Sequence, residues 1–139
     1  DPAVAPLRLQ FNTSGMVLGI AVEVLAGRIA AATGDRPGAI RHLHQAVRLE
    51  DSLTYGEPPD WTVPVRQELG SVLLEAGRAS EAEQVFREDL QRFPENGWSL
   101  FGLAHALRAQ HRDDEAAQVE RRFTASWKDS DVDPDGDGR

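Results

Sequence analysis

Four histidines, an acid-rich end and a stripe of aromatic and arginine side chains are the groups in this chain that could bind or do chemistry. His42 and His44 stand two apart, so on a helix they point to different faces and cannot chelate one ion together. His105 and His111 are six apart with no Glu-x-x-His partner, and a solvated or capping role is their better reading. The chain has no cysteine, which removes thiolate metal sites, disulfides and cysteine nucleophiles and leaves the redox compartment open. Nucleophile elbow, phosphate loop and His-Glu-x-x-His are absent too. The expectation is no enzyme, no metal and no cofactor. The end DVDPDGDGR does begin like a calcium loop, with Asp131, Asp133 and Asp135 at alternate places and Gly136 sixth. It stops before the bidentate glutamate such a loop needs. An acidic, disordered, solubilising tail over 129–139 is favoured over weak calcium binding.

Binding chemistry is better represented. Trp98, Phe101, His105 and Arg108 recur at helical spacing and form one stripe. Trp and Arg are the types over-represented where partners are held tightly. The stripe either meets a partner or packs against the preceding hairpin or the proline-rich loop, leaving His105 and Arg108 solvated. A second group, Tyr55, Glu57 and Trp61, sits in SLTYGEPPDW. Adjacent prolines stiffen that loop, and Trp61 can anchor it by burying a large area. It either folds over a neighbouring groove or acts as a rigid connector between helices, and the connector is favoured. A small-ligand site under this loop has little support.

Composition narrows the partners. With 139 residues, 40% hydrophobic and 27% charged, the chain is long enough for a core of its own. A net charge of −8 lacks the basic stripe that phosphate binding requires, so nucleic acid is not expected. No apolar run is read as long enough for a bilayer, the longest, Gly15 to Ala32, being interrupted by Glu23 and Arg28. No signal peptide is recognised either, so no membrane insertion is expected and a soluble, cytoplasmic chain is favoured. The start at Asp1, without methionine, suggests a fragment or a processed product.

The elements that position these residues are helices. Residues 1–13 read as an extended or briefly helical lead-in, with Thr13 or Ser14 capping a helix from Gly15 to about Thr33. Gly34 ends it. A second helix covers about Pro37 to Glu50, and Pro58 and Pro59 break the pattern after it. Asp60 is the expected cap of a helix reaching Ala76, and Ser80 opens the next, to Arg92. Asn96 or Gly97 opens Trp98 to Gln110, and Asp113 or Asp114 opens a last helix to about Lys128. Glu81, Glu83, Arg87, Glu88 and Arg92 form a solvated face with favourable spaced pairs.

A 34-residue step brings Leu69, Gly70, Leu73 and Ala82 into register with Leu103, Ala104, Leu107 and Ala116. Gly27, Gly34, Ala39, Leu43 and Ala46 take the places of Gly70, Gly77, Ala82, Phe86 and Asp89, with nine extra residues in the proline loop. The small residues allow two helices of a hairpin to approach closely. Gly70, Ala82, Phe86 and Pro94 match the pattern of the tetratricopeptide repeat, which the chain resembles from about Ile20 to Lys128. Departures are Ala30 and Asp51 in the first unit, and Glu120 and Lys128 in the third. The stretches YGEPPDW and FPENGWSLFGLAHAL resemble the C-terminal part of longer bacterial proteins of this kind, of unknown function, which suggests that further hairpins precede Asp1.

The resemblance implies an all-α, right-handed superhelix of about six helices in three hairpins (14–50, 60–94 and 95–128), with an insert at 52–61. It also implies a scaffold that holds a protein or peptide segment in a concave groove. The groove places fall on Ala21, Val24, Arg28 and Ala31, on Pro64, Gln67, Ser71 and Leu74, and on Trp98, Phe101, His105 and Arg108. Of these, Arg28, Gln67, Ser71, Trp98, Phe101, His105 and Arg108 are the candidate partner-binding residues. Members that clamp acidic chaperone tails use lysine and asparagine at several of these places. Val24, Arg28, Gln67, Ser71, Phe101 and His105 stand there instead, which excludes that kind of adaptor. The alternative is a capping end of a longer solenoid, whose exposed apolar face on the Val4 to Val24 side favours a homodimer.

Overall fold

In the computed structural model, which describes residues 8–9 and 11–128, the Thr13 hydroxyl accepts the Met16 N–H at 3.3 Å and so starts the first helix. That helix, α1, runs Ser14–Ala32, followed by α2 (Arg36–Asp51), α3 (Val65–Glu75), α4 (Ala79–Arg92), α5 (Gly97–Ala109) and α6 (Asp113–Trp127). This is the all-α, tetratricopeptide-like helical repeat fold. Its only extended pieces among the described residues are two short strands, β1 (Arg8–Leu9) and β2 (Asn12–Thr13), paired antiparallel.

The contacts divide the chain into two compact units, Asp1–Val72 and Leu73–Arg139, with the division inside α3. In the first unit α1 packs on α2. Ile20, Val24 and Gly27 of α1 are buried, as are Ala39, Ile40, Leu43, Ala46 and Val47 of α2. The turn between them ends on Gly34, whose φ of 83° is a left-handed conformation that a Cβ would disfavour; Gly77, at 73°, does the same after α3.

Two features hold the long α2–α3 connection. At one end Glu50 accepts the Val65 N–H at 3.3 Å, and Arg66 donates to both Asp51 oxygens at 2.8 and 2.7 Å. Glu50 thereby satisfies a free N–H at the start of α3, and both carboxylates complement the dipole there. At the other end buried Asn12 donates to the Thr54 carbonyl (2.9 Å) and to Asp60 Oδ2 (2.8 Å), and accepts the Thr54 N–H (2.8 Å). Asp60 is therefore not a helix cap. The third helix starts at Val65, just after Pro64, and the expected start at Asp60 is corrected accordingly.

In the second unit α5 packs on both α4 and α6. Ala82 and Ala116, one per helix at the same place in the repeat, are fully buried. Gly102 lies against the Phe86 ring so closely that a Cβ would come within 2.2 Å of it. Buried Ser99 donates its hydroxyl to buried Asp89, so a carboxylate is held inside the α4–α5 contact by a charge-assisted bond. Asn96 caps α5 by accepting the Trp98 N–H at 3.0 Å. Neither Ser80 nor Asp113 caps a helix; α4 and α6 begin after Arg78 and Arg112 without a side-chain cap, and Asp113, Asp114 and Glu115 fill the first turn of α6. Carboxylates there are favourable to the helix dipole.

One membrane expectation needs correction. α1, 19 residues long, is long and apolar enough to cross a bilayer by length and composition. Glu23 and Arg28 do not offset this, because Gly, Ala, Val, Leu and Ile fill nearly all the other places. Both charges are engaged within the unit: Glu23 meets His42 Nδ1 at 2.7 Å and Arg28 binds Glu68.

Candidate functional site

The first unit has a concave site. A cleft of about 320 Å³ is lined by Ala21, Val24, Leu25 and Arg28 of α1, by Trp61, Val63 and Pro64 of the loop, and by Val65 and Glu68 of α3. Its walls are mostly aliphatic. Trp61 is half-buried and fixed by its indole N–H, which donates to the Val63 carbonyl at 2.7 Å. Leu25 and Val63 remain exposed. Arg28 closes one side by a two-toothed bond to Glu68, with Nε–Oε1 and Nη2–Oε2 both 2.9 Å. The hydrogen bond to Glu68, and then its charge, raise the Arg28 pKa above its ordinary value. The pair leaves the rim polar and close to neutral.

The groove places Ala21, Val24, Arg28 and Pro64 line this cleft; Gln67 and Ser71 do not. Ser71 is exposed and spends its hydroxyl on the Gln67 carbonyl at 3.1 Å, a bond within α3. Of the loop residues, Trp61 lines the cleft, whereas Tyr55 is exposed and its hydroxyl donates to Glu57. That bond raises the Tyr55 pKa. Leu25, Val63, Val65 and Glu68 also line the cleft without standing out in the sequence; Glu68 reads there as one more solvent-facing acid.

The second unit carries an aromatic face. Trp98 meets Trp127 edge to face at 5.4 Å, Trp127 stacks on Phe123 at 5.5 Å, Phe123 meets Phe101 at 5.7 Å, and Phe101 meets His105 at 4.4 Å. These separations are those of favourable ring pairs. Trp98 is still 44% exposed. Trp98 and Phe101 thus find their ring partners across the helix contact on α6, at Trp127 and Phe123, which the repeat frame does not single out. Their spacing of four on one helix was the available signal. Arg108 is not a free cation: it donates to Glu120 from Nε at 2.7 Å and from Nη2 at 2.8 Å. Glu120 stands where the repeat pattern has an aromatic residue, and this pair gives the departure a purpose.

Among the described residues no group of three or more histidines and carboxylates is placed to hold a metal. The candidate calcium loop lies outside the described residues. Residues 73–119 match the family model of the tetratricopeptide repeat. The chain carries a tetratricopeptide repeat. The matched segment takes in the end of α3, all of α4 and α5 and the first part of α6. No curated protein and no solved structure gives a significant match. Tetratricopeptide repeats generally mediate protein–protein interaction, and the family is a non-enzymatic interaction domain.

Proposed function

We propose that this tetratricopeptide chain is a scaffold that holds a segment of a partner protein, with an apolar side chain of that segment seated in the α1–loop–α3 cleft. The observation that carries this reading is the convergence of Trp61, Leu25, Val63 and Arg28 on one concavity. An anchored aromatic beside exposed aliphatic surface favours an apolar anchor, and the Arg28–Glu68 pair can exchange hydrogen bonds with the partner's backbone. Because both groove arginines already hold a glutamate, a strongly acidic segment would have to displace those carboxylates and is disfavoured. Trp98, Phe101, His105 and Arg108 offer a second contact surface, and Gln67 and Ser71 polar contacts on α3.

Selection from a displayed random-peptide library tests this directly. Selected peptides should share one large apolar residue. Val63→Asp, which charges the cleft while leaving the Trp61 hydrogen bond intact, should weaken them roughly tenfold or more, in line with about 1–3 kcal/mol for a buried anchor. Peptides that bind Val63→Asp as well as the parent would rule the cleft out. Trp98→Ala with Arg108→Ala asks the same of the second surface. A second reading, self-association, is favoured by one observation: Leu18, Val22, Leu25 and Ile29 of α1 are all exposed.

A further inference from the structure

α1 is apolar nearly all round, yet only Ile20, Val24 and Gly27 are buried. Successive helical residues turn by about 100°, so these three share one side and Leu18, Val22, Leu25 and Ile29 fall within roughly 60° on the opposite side. Those four are 48%, 63%, 59% and 56% exposed. A helix hydrophobic on both sides is normally covered on both, and contiguous exposed apolar surface marks an interaction site.

The order of residue types in the stripe selects the occupant. Spacings of four, three and four put Val22 and Ile29 at one core position of a heptad and Leu18 and Leu25 at the other. Among parallel coiled coils, β-branched residues at the first position with leucine at the second favour two strands over three or four. The flanking places hold Gly19, Ala21 and Ala26, small enough for two backbones to approach, and Arg28, whose charge is already met by Glu68. The stripe itself has no charge to repel a copy of itself, so it is self-complementary as a two-fold interface requires. A bilayer is the poorer fit, because inserting α1 would strip Ile20 and Val24 from α2 and break the Glu23–His42 and Arg28–Glu68 contacts.

We propose that α1 pairs in parallel with α1 of a second copy of this chain, Val22 against Val22 and Ile29 against Ile29. The proposal rests on the self-association reading; Leu25 of the stripe borders the cleft, but Val22 and Ile29, the two residues that the test changes, do not line it. The stripe spans about three turns, so the pair should be weak, in the micromolar range.

Sedimentation across a wide concentration range should show a monomer–dimer equilibrium. Val22→Glu with Ile29→Glu should weaken it tenfold or more while preserving helicity and any peptide binding at the cleft. A monomer at all concentrations, or a dimer indifferent to the double change, overturns the proposal. Because the chain has no cysteine, Val22→Cys supplies an independent probe that leaves the stripe apolar. It should form a disulfide-linked dimer under mild oxidation, whereas Val17→Cys should not. Equal cross-linking at the two places, or flotation of the parent chain with phosphatidylcholine vesicles as a monomer, also overturns it.

Discussion

Glu83 accepts hydrogen bonds from Gln110 (2.8 Å), Arg87 (2.9 Å) and Arg112 (2.6 Å), tying α4 to the α5–α6 turn. Burial by itself would raise its pKa, but the Gln110 and Arg87 hydrogen bonds and the charges of Arg112 and Arg87 outweigh that and hold it below the ordinary carboxylate value. A depressed folded-state pKa contributes stability that is full above the unfolded value of about 4.3 and is lost as pH falls through the folded one. Glu83→Gln should therefore cost about 1 kcal/mol at neutral pH, and the gap between variant and parent should close in urea titrations taken at progressively lower pH. Gly102→Ala probes packing in the same unit. The added methyl meets the Phe86 ring, and overpacking of that kind costs about 1–3 kcal/mol, measurable as a lower urea midpoint with unchanged slope. Neither Gly102 nor the Ser99–Asp89 bond was legible in the sequence. A lone glycine and a lone serine on an apolar helix name no partner, and Asp89 read only as the residue in the place of Ala46.

At the scale of elements, the helices were legible because apolar positions recur every three or four residues and glycine, proline and asparagine punctuate them. The lead-in was less so. Residues 1–13 show only a short apolar series that suggests an extended lead-in, whereas the value of Asn12 lies in partners more than forty places away, Thr54 and Asp60. Asn12→Ala removes three hydrogen bonds at once. Exchange of the Thr54 N–H should accelerate by at least tenfold, with a smaller change in the amides of α2, if this side chain holds the loop. Asp51 makes the complementary case. It is a departure from the repeat pattern, yet it grips the Arg66 side chain in the first turn of α3. The cleft depends on both ties, because Trp61, Val63 and Pro64 lie between them. Its lining at Ala21, Val24, Arg28 and Pro64 was readable from the repeat frame, but Val63 came from the path of the loop, and Leu25 of α1 and Glu68 of α3 fall outside the groove places of that frame.

For the whole molecule, the division inside α3 predicts how damage spreads. Repeat proteins owe their stability to neighbours in sequence, so a local loss stays local. Gly102→Ala should lower hydrogen-exchange protection in α4, α5 and α6 well before it lowers that of α1 and α2. Uniform loss across all six helices would show a single cooperative block instead. The Asp51–Arg66 and Asn12–Thr54 ties have one more consequence. They bring the two ends of the proline-rich connection to fixed positions whatever lies between, so lengthening that connection should cost little, since the entropy of an already closed loop grows only slowly with its length. Residues 55–59 are thus a natural insertion port. A short foreign epitope placed there should be displayed beside the cleft without loss of helicity, turning the connection into an attachment point for a reporter of whatever the cleft holds.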